Sequence, residues 1–517
     1  MIARFKAHPS LVAILGISAL LRVALALQGG QFFLGDEGRY SRGLAIYQAV
    51  RTGNASALQQ ELKWPEHAAF NYLTAGIAAL QHGLAQFTTE GDWTQPQNMY
   101  ATVHLAAAVL SLFSVFNIWL VHRLARGSGA SEDEALWVAL LMAASNTLFY
   151  YSRHLLPYDC ALSAALGGLI FAVSGRTRVH HGWSGALAAL AYGLYNGYWF
   201  LVPVIFLALA ASSGGRNAPW RAGLAWLTGF LGVLTLLLLP GVIAGGAFYW
   251  KTMSAFSGSV LQGLFAEGWS LPWEYFWHSE DWLGLTVAGG VVFALVRAAR
   301  PSPEAPRLRL WLVLLGAAYL LPVVTSVCLE KFVVYARTSR PLIPLLCLLG
   351  GHGLYALSCW RPRLSPVLVV LVAAGALAHF WPHFNRLFPR DVEFQVLRQY
   401  GMTKRWLSVT GPVYLPLVLP GQRPDLALVN AQSLYPVRGY RGYPPGLVLF
   451  SVEHPLAYRP YQYEAHSPRE RSLLRGHELA IKLIRLADPA TVPYHPPAAL
   501  IFTDADRADG YDHHRAP

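Results

Sequence analysis

Between residues 9 and 381 the chain alternates apolar runs with short basic stretches, and this alternation limits it to one class of fold. The runs cover residues 9 to 28, 99 to 122, 134 to 150, 158 to 174, 183 to 195, 198 to 212, 220 to 243, 282 to 297, 308 to 328, 340 to 358 and 364 to 381. Several are short against the roughly 20 residues that an α-helix needs to cross the hydrocarbon. Only 13% of the residues are charged and 54% are hydrophobic, with a mean hydropathy of +0.35; soluble domains carry about a quarter charged residues. The expected fold class is a polytopic α-helical membrane protein with about 11 transmembrane helices. The two runs flanking Asn196-Gly197 read equally as one broken helix. "ALA" at residues 24 to 26 resembles a signal-peptidase site, but Arg22 interrupts the run, so an uncleaved anchor is expected.

Charge sets the expected orientation. A formal charge of +12 suits nucleic acid only when it is clustered, and here the basic residues are dispersed between apolar runs, so nucleic-acid binding is excluded. Arg4 and Lys6, Arg123 and Arg126, Arg176 and Arg178, Arg216 and Arg221, Arg297 to Arg309, and Arg361 and Arg363 fall on one side if every run crosses. By the positive-inside rule that side is the cytoplasm, the N-terminus lies there, and the membrane is a bacterial inner membrane by expectation. Asp36, Glu37, Glu61, Glu66, Glu90, Asp92, Asp159, Glu267, Glu274, Glu280, Asp281 and Glu330 then face outward, so the chemistry is expected on that face. Cys160, Cys328, Cys347 and Cys359 have no ligand-like spacing and indicate neither a zinc site nor a disulfide framework.

Two domains follow. Residues 1 to 381 form the transmembrane core, and within it the outer loop 29 to 98 carries two helix-period segments, "GRYSRGLAIYQAVRTG" and "AAFNYLTAGIAALQHGLAQF", read as interfacial helices. Residues 382 to 517 change in composition, with 16 Lys plus Arg and 12 Asp plus Glu. Short apolar runs "PVYLPLVLP", "LALVNA", "GLVLFSV" and "AALIFT" alternate there with a helix-like "RERSLLRGHELAIKLIRLA", the pattern of a small α/β extracytoplasmic domain. The aromatic-rich stretch from Ala247 to Gly284 reads as a loop at the membrane interface.

Three constellations carry candidate chemistry. Asp36-Glu37 opens an amphipathic helix where the first run leaves the membrane; Asp at that place is also a plain helix N-cap. Asp159, in "YYSRHLLPYDCALSAALGG", opens the fourth run at the same boundary, with Arg153 and His154 beside it. Two carboxylates at one interface suit an acid/base or substrate-positioning task. In "LEKFVVYARTSRPLIPLLCLLGG", Lys331, Arg337 and Arg340 stand around Tyr335 at the outer end of the tenth run. Cations there either snorkel to headgroups or clamp a lipid phosphate. Lys63 is a solvated loop charge or a substrate contact. Arg22, His104, Asn117 and Asn196 read as helix-helix hydrogen-bonding groups.

Taken in order, "GDEGRYSRGLAIYQ", "WPEHAAFNYLTAGIAALQHGL", "RHLLPYD" and "KFVVYARTSRPLIPLL" resemble the GT-C superfamily of glycosyltransferases, nearest to the protein O-mannosyltransferase and aminoarabinose transferase group. The resemblance covers about residues 10 to 360 as a pattern of order and topology. It implies inverting transfer of one sugar from a polyprenyl-phosphate donor to an acceptor glycan, lipid or protein on the extracytoplasmic face. By position Asp36, with Glu37 beside it, is similar to the family's catalytic carboxylate, and Asp159 looks like a second one. Two departures stand out: Pro65-Glu66-His67 replaces a common Pro-Pro-Leu, and His104 stands where many relatives carry Arg.

The residues suit that chemistry. A polyprenyl phosphate is a good leaving group, so the enzyme needs cations for the departing phosphate and a base for the acceptor hydroxyl. Asp36 is the expected base; Arg337, Arg340, Lys331 and Arg153 are the expected phosphate contacts, with Lys63 and Tyr335 as further substrate contacts. The lipid-linked sugar is a substrate, no cofactor is assigned, no metal ligands are assigned, and divalent-metal dependence is left open. Two rivals belong to other classes: a secondary transporter, for which Asn196-Gly197 is the best sign, and a membrane-anchored scaffold for the C-terminal domain.

Overall fold

The computed structural model describes residues 8–27, 36–64, 66–85, 96–213, 219–261, 271–328, 340–384, 406–410, 413–416, 423–430, 444–453 and 480–491. Sixteen helices occupy the described residues up to 384: α1 Pro9–Leu27, α2 Asp36–Arg51, α3 Ala55–Leu62, α4 Ala68–Ala85, α5 Pro96–Gly127, α6 Glu132–Ala144, α7 Asn146–Tyr151, α8 Tyr158–Ser174, α9 Arg178–Leu194, α10 Leu201–Ser213, α11 Pro219–Gly245, α12 Ala247–Leu261, α13 Leu271–Ala299, α14 Ala305–Cys328, α15 Leu342–Trp360 and α16 Ser365–Phe384. Every apolar run of the sequence is helical. Eight of the described helical stretches are long and apolar enough to cross a membrane, while the third, fourth and fifth runs form shorter helices of 13, 17 and 17 residues. The chain is thus an integral membrane protein by its apolar helices.

Three sequence expectations change and one open alternative closes on two helices. The run 134 to 150 is two helices, because Ser145 leaves the helical region at φ −60°, ψ 121° and caps the next helix through Leu148 N–H. Residues 183 to 212 are two helices separated by a 3-10 turn, Asn196–Tyr198. The aromatic stretch read as a loop is helical over Ala247–Leu261 and from Leu271 onward, where Asp281 (φ 44°) breaks α13. The helix-like segment near the C-terminus ends in a strand.

Close helix packing relies on missing side chains at several contacts, of which two show the point. α9 lies against α11, where a Cβ on Gly185 would sit 1.9 Å from the Trp226 carbonyl oxygen. α15 lies against α6, where a Cβ on Gly351 would come within 2.8 Å of the Val138 backbone nitrogen. In hydrocarbon no hydrophobic drive favours helix association, so such backbone approach and interhelical hydrogen bonds supply it. Between α1 and α5, α2 packs on α4, and the Tyr40 hydroxyl donates to Gln81 Oε1 in that interface.

The C-terminal residues described form one antiparallel sheet of five strands, β1 Trp406–Thr410, β2 Val413–Pro416, β3 Leu426–Asn430, β4 Gly446–Glu453 and β5 Ala480–Leu486, in the order β1-β2-β3-β5-β4. β5 takes the "AIKLIRL" that read as helix: it is hydrogen-bonded on both edges, to β3 and β4, and buries Leu483, Ile484 and Leu486. Helical and strand periods fit so short an apolar run about equally, and pairing decides. Residues 469–479 and "AALIFT" lie outside the described residues, as does any helix they form.

Candidate active site

The site is built around a sequence of turns between α6 and α8. Glu280, near the break in α13, lies at the N-terminus of α7: its Oε1 accepts from Ser145 Oγ (2.8 Å) and Thr147 N–H (2.9 Å), and its Oε2 from Asn146 N–H (2.9 Å). These are donors that a helix start leaves unpaired, and a carboxylate there also complements the helix dipole. Asn146 is further tied to Ser279 O (2.8 Å) and to His383 Nε2 on α16 (2.9 Å). The turn after α7 carries Arg153 and His154, both buried, and Pro157 starts α8.

Asp159 then falls in the first turn of α8. Its Oδ1 accepts from Arg340 Nη2 at 2.7 Å, across 181 residues of chain. Asn117 Nδ2 (3.1 Å) and Ser163 Oγ (2.9 Å) donate to its backbone carbonyl, which fixes α8 to α5. Arg340, just ahead of α15, is only 1% exposed, so it does not snorkel. Its guanidinium lies over Tyr151 (4.5 Å) and Tyr158 (5.3 Å), a cation between two aromatic rings.

Ring contacts lead from this pair to the first loop. Tyr158 meets Tyr195 (4.8 Å), and Tyr195 meets His67 (5.2 Å) at the start of α4. His67 has a positive φ of 51° and its N–H donates to Asn196 Oδ1 at 3.3 Å, so the break between α9 and α10 seats the loop. Lys63 goes elsewhere: its Nζ donates to Gln60 Oε1 and lies over Phe248 (5.3 Å), where Gln59 Nε2 also holds Ala244 O.

Arg22 completes the buried polar groups at this end. It is fully buried in α1, donating from Nε to Ser114 Oγ (3.1 Å) and from Nη2 to Ala143 O (3.2 Å). An apolar cavity of about 360 Å³ lies between α6, α13, α14 and α15. Leu141, Val287, Leu315, Ile343 and Leu346 line it, Ser145 and Glu280 form its polar part, and Ile343 is one turn along α15 from Arg340.

The opposite end of the same helices holds a second buried carboxylate. Glu134, in the first turn of α6, accepts from Arg307 Nη2 at 2.8 Å to both oxygens and pairs with His352 Nδ1 at 2.9 Å. Arg307 Nη1 also donates to Gly129 O (2.6 Å). Beside it, Glu304 caps the region before α14 and pairs with Arg297 at 3.3 Å. A hydrogen bond from its own backbone amide, with the Ser302 hydroxyl and Arg297 adding to it, holds the Glu304 carboxyl below its ordinary range.

Of the sequence candidates, Asp159, Arg340 and Arg153 are all buried, and Asp159 and Arg340 are in direct contact. Asp36 is the first residue of α2 rather than a cap before it; the side chains of Asp36 and Glu37, and Lys331, Tyr335 and Arg337 altogether, lie outside the described residues. Sequence reasoning gave no site role to Glu280, Tyr151, Tyr158 and His67, whose roles depend on contacts between distant segments. Among the described residues no group of His, Cys, Asp and Glu is arranged to hold a metal ion.

No protein-family model matches the chain, and no curated protein does. Among solved structures it is similar to ArnT from Cupriavidus metallidurans bound to undecaprenyl phosphate (14% identity, TM-score 0.48, covering 71% of this chain and 64% of that one). It is also similar to the archaeal oligosaccharyltransferase AglB from Archaeoglobus fulgidus in complex with an inhibitory peptide and a dolichol-phosphate (12%, 0.45, 74% and 56%). The third is an Archaeoglobus fulgidus oligosaccharyltransferase in the apo form (11%, 0.42, 89% and 64%). The chain spans less than two thirds of each of these proteins. Identities and TM-scores this low leave the reading of the site to the chain's own residues.

Proposed function

We propose that the chain is a membrane glycosyltransferase of the GT-C kind, moving one sugar with inversion from a polyprenyl-phosphate donor to an acceptor hydroxyl or phosphate on the extracytoplasmic face. The observation that carries this reading is Arg340: a buried guanidinium aligned by Asp159 and two tyrosines, one helical turn from an apolar cavity. An amphiphile with an anionic head and a hydrocarbon tail suits that juxtaposition, because a charge-assisted hydrogen bond holds the head while burial of apolar surface holds the tail.

Roles follow from the contacts. Asp159 already accepts from Arg340 and serves to orient it, so the base for the acceptor falls to Asp36 at the start of α2, with Glu37 as its neighbour. Lys331, Arg337 and Tyr335, in the segment leading to Arg340, and buried Arg153 are further donor contacts in this reading; Lys63, seated on Phe248, supports the loop instead. The core is residues 1 to 381 with a cytoplasmic N-terminus, and residues 382 to 517 form an extracytoplasmic domain. The break at Asn196, the feature that would favour a transporter, is taken by the His67 backbone.

The test is transfer of radiolabelled sugar from a polyprenyl-phosphate donor by purified protein in detergent. Asp36→Asn keeps shape and should bind donor yet turn over at least about a hundredfold more slowly, the lower end of what a positioned base contributes. Arg340→Gln should instead raise the donor KM by about tenfold or more. Near-normal kinetics in both stable variants would sink the assignment.

A further inference from the structure

Arg22 has more hydrogen-bonding capacity than the fold uses. Its guanidinium offers five N–H donors. Nε and Nη2 are spent on the Ser114 hydroxyl and the Ala143 carbonyl, both neutral; Nη1 is buried with no hydrogen-bond partner among the described residues. Capping the end of α6 explains one edge of the group and leaves the other unexplained. A guanidinium in a membrane-spanning helix, fully buried and with no carboxylate in contact among the described residues, is costly unless something supplies an opposite charge.

Its surroundings are those of the site. Ser114, which it holds, is one turn along α5 from Asn117, which holds the Asp159 carbonyl, so both contacts fall on one face of α5. Its guanidinium lies 5.6 Å from the ring of Phe149 on α7, two residues before the Tyr151 that lies under Arg340. Arg22 and Arg340 therefore flank the same six-residue helix. Among the described residues this end buries three arginines, Arg22, Arg153 and Arg340, against two carboxylates, Asp159 and Glu280. Glu280 is already committed to three donors at the start of α7.

We propose that Arg22 is a binding residue for the anionic group of the substrate, its Nη1 edge receiving a phosphate oxygen beside the Arg340–Asp159 pair. The substrate supplies the missing negative charge, so occupancy and neutralisation are one event. This rests on the donor reading above and adds to it a cation from the first helix.

The experiment compares wild type with Arg22→Met in detergent, measuring affinity for undecaprenyl phosphate and for undecaprenol, which share the chain and differ in the phosphate. The wild type should prefer the phosphate, and the variant should lose about tenfold or more of that preference with its affinity for the alcohol unchanged. The unliganded variant should melt no lower than wild type, since an uncompensated buried charge has been removed. A preference that survives the substitution overturns the proposal while leaving the donor reading intact; a wild type without any preference overturns both. Should Arg22→Met fail to fold, Arg22→Gln keeps an N–H donor at the reach of Nε for Ser114 without the charge, and the same criterion decides.

Discussion

The two ends of α6 and α15 use the same ingredients to different effect. Around Glu134 each cation meets the carboxylate: both carboxylate oxygens take Arg307, one of them also pairs with His352, and Arg307 binds Gly129 O besides, while Arg307 Nε and His352 Nε2 find no hydrogen-bond partner among the described residues. Around Asp159 its Oδ1 meets Arg340, the ring faces of two tyrosines lie under the cation, and Arg22 keeps an edge unspent among the described residues. A buried network in which each cation meets its carboxylate specifies a packing arrangement; one that holds a cation on neutral partners has charge left to offer. The comparison teaches that burial and charge alone do not mark a site. The surplus does.

Breaking the Glu134 end should cost the most in stability. Glu134→Ala strands the Arg307 guanidinium inside the bundle, and removal of one partner of a buried pair typically costs about 3–5 kcal/mol. We expect a large fall in Tm, with donor affinity of the folded fraction unchanged. Altered donor affinity would erase the distinction between the ends.

Asp159→Asn tests the other side of the comparison. Asn still offers an oxygen to Arg340, so stability should fall by only about 1–3 kcal/mol. The donor KM should rise by about tenfold as Arg340 loses its alignment, while kcat changes less. A loss of Tm alone, with KM in place, would put Asp159 in the same structural class as Glu134.

The smallest effect concerns the loop between α13 and α14. The carboxyl of Glu304 is held below its ordinary range by the backbone amide, Ser302 and Arg297, so it contributes stability above the unfolded pKa and loses it as pH falls through the lower folded value. Arg297 and Glu304 are both more than a third exposed or close to it, so the increment is slight. Melting of wild type and Glu304→Gln should differ at neutral pH and converge on acidification; a constant difference would remove the ion pair from the account.

Much of the bundle was legible because crossing a bilayer demands long apolar helices and little else. Its interruptions were less so. Ser145 ends α6 because it can cap α7, and Glu280, 135 residues away, accepts from its hydroxyl; no local pattern encodes that partner. The strand at Ala480–Leu486 was hidden for a similar reason, since its period is ambiguous and β3 and β4 decide it. In the site, Asp159 and Arg340 each stood out as charges at the edge of an apolar run, but their pairing is a property of the folded bundle. Arg22 was read as a helix-helix contact, which Ser114 and Ala143 bear out, and only the count of its donors shows what that role leaves over.

The tie between Asn146 and His383 carries a consequence for biosynthesis. The turn that presents Arg153 and Asp159 begins at a short helix whose N-terminus is gripped by Glu280 and whose first residue is held by a histidine 237 positions later. A ribosome delivers these partners in order, so the early helices wait with that turn unsecured until α13 and then α16 have been inserted. The turn around Arg153 and Asp159 is thus among the last parts of the bundle to be finished, and a nascent chain halted before residue 383 has its apolar helices in hand with that turn not yet secured.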